Sequence, residues 1–509
     1  MQPTALTAAA PRAPSAVHEL KTLVLSRHSG IVIETHEGAR AEQLLQAVAH
    51  DLGVPRFEWS VTGGLVRAGD GRGVYQTSDP VRALGAMAEL HLEAIFELRD
   101  FSAYLDKPEV SRAFRELIER LARPGRHSTL VLVEARAELP PEVEACVIRY
   151  DLPVPSREEY RRVLDAVTES LRLNAGAQVE IGPDDYDEFC AVLGGLTLNQ
   201  ARQAVARAAI EDARLSRDDL RRLAEYKATA LQEDGLLEYF PPADNRFSLG
   251  GFGNLRRWLE RARVGFSPEA AELGLEPPKG VLLVGVQGCG KSLAAKAIAR
   301  DWNLPLLKLD TGRLFDKYIG ETERNFRKVT GIAESCAPAV LWIDELEKGM
   351  APGGGGAESD GGLSRRLFGS FLTWLQEKDA AVFVVATAND LSLLPPELLR
   401  KGRFDEIFFV DLPQGDEREQ IFRIHLALRR QVPQAFALPA LVEATEGFSG
   451  AEIEQAVVAS LLGALQAKTA LTTELLLEEI RATIPLSATR AEEITALRQS
   501  AQGRFVPVR

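Results

Sequence analysis

A glycine-rich stretch, Gly285-Val286-Gln287-Gly288-Cys289-Gly290-Lys291-Ser292, constrains the fold of this chain more than any other segment. It fits the P-loop pattern G-x-x-x-x-G-K-[ST]. The apolar run at 280–284 predicts a buried strand before it, and the alanine-rich run at 293–300 predicts a helix after it. A phosphate-binding loop requires this order of strand, glycine turn and helix, so we interpret the stretch as a P-loop.

The residues of this loop suit a nucleoside triphosphate. Backbone N–H groups at a helix N-terminus face the phosphates, Lys291 would neutralise the β- and γ-phosphates, and the Ser292 hydroxyl would ligate Mg²⁺. A glycine turn that binds nothing is the alternative, which the Lys-Ser pair and both flanks disfavour. We therefore expect ATP and Mg²⁺ as cofactors, with contacts from Gly285, Gln287, Gly288, Cys289, Gly290, Lys291, Ser292 and Leu293.

Composition excludes several other classes of protein. The 509 residues carry a net charge of −13, which argues against nonspecific binding of nucleic acid, because phosphate contacts need a basic face. No apolar run approaches the roughly 20 residues of a membrane span. The scattered cysteines Cys146, Cys190, Cys289 and Cys336 show no metal-ligand spacing and suggest a reducing, cytoplasmic location.

The order of predicted elements divides the chain into α/β and helical parts. Strands alternate with helices in two regions, as in a parallel α/β sheet, and each region is followed by a helical one. We expect these domains: a disordered tail (1–20), an α/β domain (21–165), its helical lid (166–235), a linker (236–250), a second α/β domain (251–413), and a lid with C-terminal helices (414–509).

Similar segments recur in the same order in both halves, which suggests an internal duplication. Two unrelated α/β domains are the alternative. The matching pairs are 30–33 with 280–283, 51–55 with 301–305, 139–142 with 394–397, 150–153 with 410–413, and 195–205 with 447–457. In the first copy Arg40-Ala41-Glu42 stands where Gly290-Lys291-Ser292 stands in the second. Because the phosphate lysine and the Mg²⁺ hydroxyl are missing, we expect the first copy to be degenerate.

A buried strand at 340–343 ends in two acids, Asp344 and Glu345. After a P-loop this is the Walker B arrangement, in which Asp344 holds Mg²⁺ through water and Glu345 polarises the attacking water. A solvated strand end is the alternative. The first copy has Arg99-Asp100 at this position and lacks the metal ligand.

A second strand, 382–388, ends at Asn389 and is followed by Leu398-Leu399-Arg400-Lys401-Gly402-Arg403-Phe404-Asp405. With these residues the chain resembles the AAA ATPases over about 247–458. The resemblance implies that Asn389 is sensor 1, which orients the lytic water. It also implies that Arg400 and Arg403 are arginine fingers that reach the nucleotide of the neighbouring subunit. A basic surface loop is the alternative for the two arginines.

The resemblance extends to the adenine side of the site. Leu249 and Gly250 resemble the segment that touches adenine, and His425 resembles the lid histidine near the base, although a lone His is as often structural. Gly450 and Ala451 resemble the start of the lid helix that closes over the nucleotide. Ser449 also suits an N-cap, with Glu452 completing a capping box.

The same resemblance implies a client-gripping segment. Lys317-Tyr318-Ile319 resembles the first pore loop, whose aromatic residue grips threaded polypeptide, and core packing of Tyr318 is the alternative. The glycine-rich stretch 349–362 lies where the second pore loop belongs, and its composition predicts mobility. Arg365 and Arg366, which follow it, are candidates for the subunit interface.

The tandem layout resembles the divergent AAA ATPases of cyanobacteria and plastid genomes. One departure is the continuation of the acid motif, Asp344-Glu345-Leu346-Glu347-Lys348, which differs from the common form. The expected fold class is therefore an α/β P-loop NTPase of the AAA+ type, a parallel sheet with a helical lid, duplicated and with a degenerate first copy.

The resemblance implies an ATP-hydrolysing protein that remodels or threads a protein client as a ring, expected to be a homo-hexamer. The alternative is a nucleotide-dependent switch that binds a regulatory partner without threading. Neither a membrane nor nucleic acid is expected as a partner.

Overall fold

The computed structural model describes residues 16–71, 73–123, 128–175, 178–242, 249–314, 319–349, 360–400 and 402–509. The chain forms two compact units. The first contains the described residues up to Val154 together with Thr197–Asn199, and the second contains Pro155–Leu196 and Gln200–Arg509.

The first unit is built on a mainly parallel sheet with strand order β3-β2-β4-β5-β1-β6. Only the hairpin partner β3 runs antiparallel to its neighbour β2. The strands are β1 (Gly30–Glu34), β2 (Arg56–Ser60), β3 (Gly64–Arg67), β4 (Ile95–Arg99), β5 (Thr129–Glu134) and β6 (Ile148–Tyr150).

Apolar residues alternate between the two faces of this sheet, as expected when helices cover both. Ile31 and Ile33 pack on one face with Leu20 and Leu45, while Val32 packs on the other with Phe114 and its neighbours. The covering helices are α1 (Ala16–Leu25), α2 (Gly38–Leu52), α3 (Pro80–Glu89), α4 (Pro108–Leu121) and the short α5 (Pro141–Glu144).

The second unit starts with a helical region that leads into an edge strand. This region comprises α6 (Arg157–Ser170) with a π-helical turn (Leu171–Ala175), β7 (Gln178–Val179), α7 (Pro183–Leu193), α8 (Leu198–Asp212), β8 (Arg214–Leu215) and α9 (Asp219–Asp234). The first two residues of α8 belong to the other unit. Strand β9 (Leu237–Phe240) then pairs antiparallel with β11 (Leu306–Leu309).

The large sheet of the second unit has the order β15-β14-β10-β13-β12-β11-β9. Its remaining strands are β10 (Gly280–Gly285), β12 (Ala339–Ile343), β13 (Val382–Ala388), β14 (Glu406–Val410) and β15 (Val506–Pro507). The helices of this domain are α10 (Gly253–Val264), α11 (Pro268–Glu272), α12 (Lys291–Trp302), α13 (Thr311–Leu314), α14 (Ile319–Ser335) and α15 (Asp360–Glu377).

The C-terminal helices are α16 (Gly415–Leu428), α17 (Leu438–Ala444), α18 (Gly450–Gln466), α19 (Thr473–Ala482), α20 (Leu486–Thr489) and α21 (Ala491–Ala501). The first four form a small separate core around Phe422, Leu441 and Ile453, whereas Leu486 of α20 and Ile494 of α21 pack with the core of the large sheet. The predicted fold class, α/β with mainly parallel sheets and a helical lid, is confirmed.

The two sheets share a strand order around their central strands. In the first sheet, Gly30 on β1 pairs with Leu130 on β5, which pairs with Phe96 on β4. In the second sheet, Gly280 on β10 pairs with Val384 on β13, which pairs with Leu341 on β12. Counting along these strands places Arg99-Asp100 at the positions of Asp344-Glu345. Asp100 and Glu345 both adopt a left-handed backbone, with φ of 52° and 50°, which is uncommon for residues other than glycine.

The structure differs from the predicted elements and boundaries at several positions, including 165/166, where α6 (Arg157–Ser170) crosses the expected end of the first α/β domain and the first unit already ends at Val154. Residues 16–20 belong to α1, where Leu20 is fully buried, so a disordered tail over 1–20 is wrong for that part, while 1–15 lie outside the described residues. The expected linker 236–250 contains β9, in which Leu237 and Tyr239 alternate inward. Strand β15 was not predicted, because a strand of two residues is too short to show an alternating apolar pattern. Its proline lies in an edge strand, where a missing N–H is tolerated.

None of the helices in the described ranges is long and apolar enough to cross a membrane.

Candidate nucleotide site

The glycine loop joins the end of β10 to the first residue of α12 through left-handed backbone. Gly288 has φ 76° and Gly290 has φ 89°, conformations that glycine adopts without steric cost. A Cβ at Gly288 would lie 3.1 Å from Ser449 Oγ and 3.2 Å from Ala451 Cβ. The loop therefore needs glycine for its turn and also for its close contact with the start of α18.

Lys291 is the first residue of α12 and is only 6% exposed. Its Nζ donates to the carbonyl oxygens of Gly285 at 2.7 Å and Val286 at 2.8 Å. Burial lowers the pKa of Lys291 to about 8, because a poorly solvated ammonium is less stable than one in water. An anionic group at this loop would stabilise the charged lysine, as a phosphate would.

The other named loop residues differ in exposure. Gln287 is exposed, Leu293 is half-buried, and Cys289 is buried. Burial raises the pKa of the Cys289 thiol to about 12. This cysteine therefore stays protonated near neutral pH and is no thiolate ligand or nucleophile.

Asp344 follows β12 and meets the start of α12. Ser292 Oγ donates to Asp344 Oδ1 at 3.0 Å, and Thr387 Oγ1 donates to the same oxygen at 2.6 Å. A hydroxyl and a carboxylate together offer the oxygen ligands that Mg²⁺ prefers, with water and phosphate completing its shell. The donor set of Ser292 and Asp344 thus fits the expected metal.

Glu345 and Asn389 come together from adjacent strands. Asn389 Nδ2 donates to Glu345 Oε1 at 3.2 Å, and Glu345, directly after Asp344, has a left-handed backbone with φ 50°. Lys348 Nζ forms an ion pair with the other carboxylate oxygen, Glu345 Oε2. The structure therefore brings the expected water-polarising glutamate and the expected sensor 1 into contact.

Two further residues of this corner were missed in the sequence. Thr387 is 1% exposed, and its Oγ1 also accepts a hydrogen bond from Glu345 N at 3.0 Å. Glu347 Oε1 accepts from Asn389 N at 2.8 Å, and burial raises the pKa of Glu347. The signal for Thr387 was its place two residues before Asn389, near the end of the strand; Glu347 lay within the motif already noted as a departure.

The adenine-side residues and the lid meet beside the loop. Leu249 is 8% exposed and packs in the main core, and Gly250 approaches Ile421, to whose Cγ1 a Cβ would lie 3.2 Å away. Ala451 N donates to Gly288 O at 3.0 Å, so the start of α18 contacts the P-loop directly. The predicted capping box of Ser449 with Glu452 is confirmed.

His425 lies further along α16, in a polar group with Arg429 and Glu454. Its Nδ1 is 3.2 Å from Arg429 Nη1 and 3.6 Å from Glu454 Oε1, and burial lowers its pKa. These contacts suit the structural alternative for this residue. A contact with adenine stays a prediction.

The expected arginine fingers lie between β13 and β14. Arg400 is exposed, and Arg403 is half-buried with its Nη1 donating to Leu372 O at 3.1 Å. The pore-loop residues Lys317 and Tyr318 lie outside the described residues, Ile319 begins α14, and the second pore loop is also largely outside.

In the first unit an ion-pair network fills the matching corner. Glu42 lies on α2 at the position of Ser292, since the starts of the central strands, Gly30 and Gly280, and the left-handed residues that end the helices, Gly53 and Asn303, have the same spacing. Helix α2 begins three residues earlier than α12 does in this alignment. Glu42 pairs with Arg99 at 2.9 Å and Arg56 at 3.3 Å. Burial opposes ionisation, yet these arginines hold the pKa of Glu42 below its usual value. These two arginines also pair with Glu58 and Glu97, so Glu42 belongs to a network of three carboxylates and two arginines within the first unit.

Family models match most of the chain. The model "ATPase family associated with various cellular activities (AAA)" matches residues 281–412. The model of the N-terminal domain of SpoVK-like AAA ATPases matches 16–152, and the model of their second domain matches 158–234.

Similar relatives match nearly full length. All three named here carry the description "Uncharacterized AAA domain-containing protein ycf46". The protein from Pyropia yezoensis is 35% identical over 486 residues, covering 94% of this chain and 96% of the relative. The protein from Guillardia theta is 35% identical over 487 residues, with 95% and 94% covered, and that from Trieres chinensis is 33% identical over 473 residues, with 92% and 93% covered. The chain therefore belongs to the AAA ATPase family and, within it, groups with the ycf46 AAA domain-containing proteins.

Proposed function

We propose that this protein hydrolyses ATP with Mg²⁺ in its second unit and uses the energy to remodel or thread a protein client as a ring oligomer. One observation carries the hydrolase proposal. Ser292 and Thr387 both donate to Asp344, and Glu345 lies beside Asn389 in the same corner. Metal ligands, a base and a water-orienting amide are thus collected next to a buried lysine.

Each of these residues has its own role in the proposed hydrolysis. Bound ATP and Mg²⁺ supply the phosphoryl group and the charge that stabilises its transfer. Lys291 and the loop N–H groups would hold the phosphates, Ser292 and Asp344 would hold the metal, and Thr387 fixes Asp344. Glu345 accepts a proton from the attacking water, and Asn389 orients both the glutamate and the water.

Removal of the Thr387 hydroxyl is expected to slow turnover about 10- to 100-fold, as loss of an outer-shell partner does in metal sites. Thr387→Val removes one of the two hydroxyl donors to Asp344 Oδ1, so that Ser292 alone remains, and it leaves the N–H of Glu345 without its acceptor. It should also lower the free energy of unfolding by about 1–3 kcal/mol. Phosphate release at saturating Mg-ATP and denaturant unfolding measure the two effects. Thr387→Ser keeps the hydroxyl and is the control; equal turnover of the Val and Ser variants would remove Thr387 from this role.

For the first unit we propose an ancestry shared with the second and no ATP binding. The common strand order and the paired left-handed residues Asp100 and Glu345 support the shared ancestry. The buried Ala41 at the position of Lys291, and Glu42 engaged by Arg99, support the loss of the site. Glu42 stands at the position of the Ser292 hydroxyl, and Arg99 stands at the position of the Asp344 carboxylate.

This proposal predicts one bound nucleotide per full-length chain and none in Lys291→Ala. Calorimetry with a non-hydrolysable ATP analogue and Mg²⁺ counts the sites, and circular dichroism checks that the variant is folded. Glu42→Gln, which alters the first unit alone, should leave the count at one. A micromolar site that persists in Lys291→Ala would contradict the loss of the first site.

The finer proposals concern the client, the ring and the compartment. The exposed Arg400 supports a site shared between subunits of a homo-hexamer, and the free cysteines support a reducing, cytoplasmic location. Turnover measured with and without an unfolded protein tests the client: the remodelling proposal expects stimulation. Slow turnover that is indifferent to added protein would instead favour a nucleotide-dependent switch.

A further inference from the structure

The catalytic glutamate proposed above is held by a lysine of its own turn. The segment Leu346–Gly349 is a 3-10 helix, and Lys348 N donates to Glu345 O at 2.9 Å. This turn folds the Lys348 side chain back onto Glu345, where its Nζ pairs with Oε2. This contact raises the pKa of Lys348, chiefly through the hydrogen bond to Glu345. Both carboxylate oxygens are therefore engaged, one by Lys348 and the other by Asn389.

The two contacts of Glu345 differ in how easily they can break. Asn389 lies at the end of a central strand, with its backbone N–H tied to Glu347. The Lys348 side chain is 67% exposed, so water and ions compete for its ammonium. Other charged groups near Glu345 are Asp344, Glu347 and Lys291. Asp344 and Lys291 are hydrogen-bonded inside the site, and Glu347 accepts from Asn389 N through Oε1 while its Oε2 is buried without a hydrogen bond among the described residues. Lys348 is the member of this group that solvent can release.

The turn itself does not require a lysine, as the matching turn of the first unit shows. In the first unit a 3-10 helix, Ser102–Tyr104, begins two residues after Asp100, and the turn of Lys348 begins one residue after Glu345. Ala103 stands at the position of Lys348 there. The turn therefore forms without a lysine when no catalytic glutamate is present.

We propose that Lys348 restrains Glu345, and that its release is required before the glutamate can engage the attacking water. Lys348 is thus a positioning residue that slows basal turnover, acting through Glu345. The inference rests on the proposed ATPase activity and adds a regulatory contact to the same site. An acidic group of a partner that captures the exposed ammonium would speed hydrolysis.

The test compares kcat and KM for ATP in the full-length wild type, Lys348→Met and Lys348→Arg. Because exposed ion pairs are weak, we expect Lys348→Met to raise kcat about two- to fivefold with an unchanged KM. Lys348→Arg retains the cation, so its kcat should equal that of the wild type. Lys21→Met, which removes an exposed pair of 3.4 Å with Asp51 in the first unit, is the matched control and should change neither constant.

Salt gives a second readout that a purely structural role would not move. At saturating Mg-ATP, added salt should raise kcat of the wild type by screening the exposed pair, and the ratio of Lys348→Met to wild type should fall towards one. A kcat in Lys348→Met that is equal to or below that of the wild type would overturn the inference. A wild type that hydrolyses no ATP would instead overturn the proposed function, so the two failures are distinguishable.

Discussion

Glu345→Gln is expected to bind ATP normally and to lose turnover by about 100-fold or more, the usual contribution of a general base. The glutamine keeps the shape of the side chain and can still bond with Asn389, and it leaves Lys291, Ser292 and Asp344 untouched. It cannot take a proton from water. Phosphate release under saturating Mg-ATP measures the loss, and calorimetry with ATP measures the retained affinity.

The matched control for this variant is Glu446→Gln, which neutralises an exposed carboxylate of the lid. It should turn over at the wild-type rate, so that a loss in Glu345→Gln cannot come from the change in net charge. If Glu345→Gln hydrolyses ATP as fast as the wild type, Glu345 does not activate the water.

Arg400→Ala is expected to reduce turnover about 1,000-fold while leaving ATP affinity nearly unchanged, as removal of an arginine finger does. The side chain is exposed, so its truncation disturbs no packing. The loss of its charge should raise only the energy of the transition state in the neighbouring subunit's site. Turnover, ATP affinity and the thermal unfolding midpoint of the variant give the three readouts.

Arg403→Ala provides the comparison. It should lose turnover to a similar degree, but it also loses the hydrogen bond to Leu372 O at 3.1 Å, so a lower unfolding midpoint is expected for this variant only. Wild-type turnover in either variant would remove that arginine from the proposed pair of fingers.

The chain shows clearly which features of a site can be predicted from sequence. The P-loop was predictable because its chemistry requires glycines, a lysine and a hydroxyl at fixed spacing, and the structure places Ser292 against Asp344 across 52 positions of sequence. The parallel order of the strands was predictable because apolar runs alternate with helices.

Other features depend on tertiary contacts that leave little trace in the sequence. Thr387 reads as an ordinary strand residue, since threonine favours strands, and only the sheet register places its hydroxyl on Asp344. Glu42 reads as a charge that repels phosphate, but the structure engages it with Arg99 and Arg56, which lie on separate strands. Strand β9 was read as linker because Pro241 and Pro242 follow it directly.

The measurement that tests the central claim most directly is turnover in a mixture of Lys291→Ala and Arg400→Ala chains. Each variant alone lacks one half of every shared site and should be inactive. In rings that exchange subunits at random, about a quarter of the heterologous interfaces would pair an intact P-loop with an intact finger. The proposal therefore predicts that mixing restores phosphate release to a clear fraction of the wild-type rate. No recovery, in mixtures shown by mass measurement to form joint oligomers, would contradict an ATP site shared between neighbouring chains.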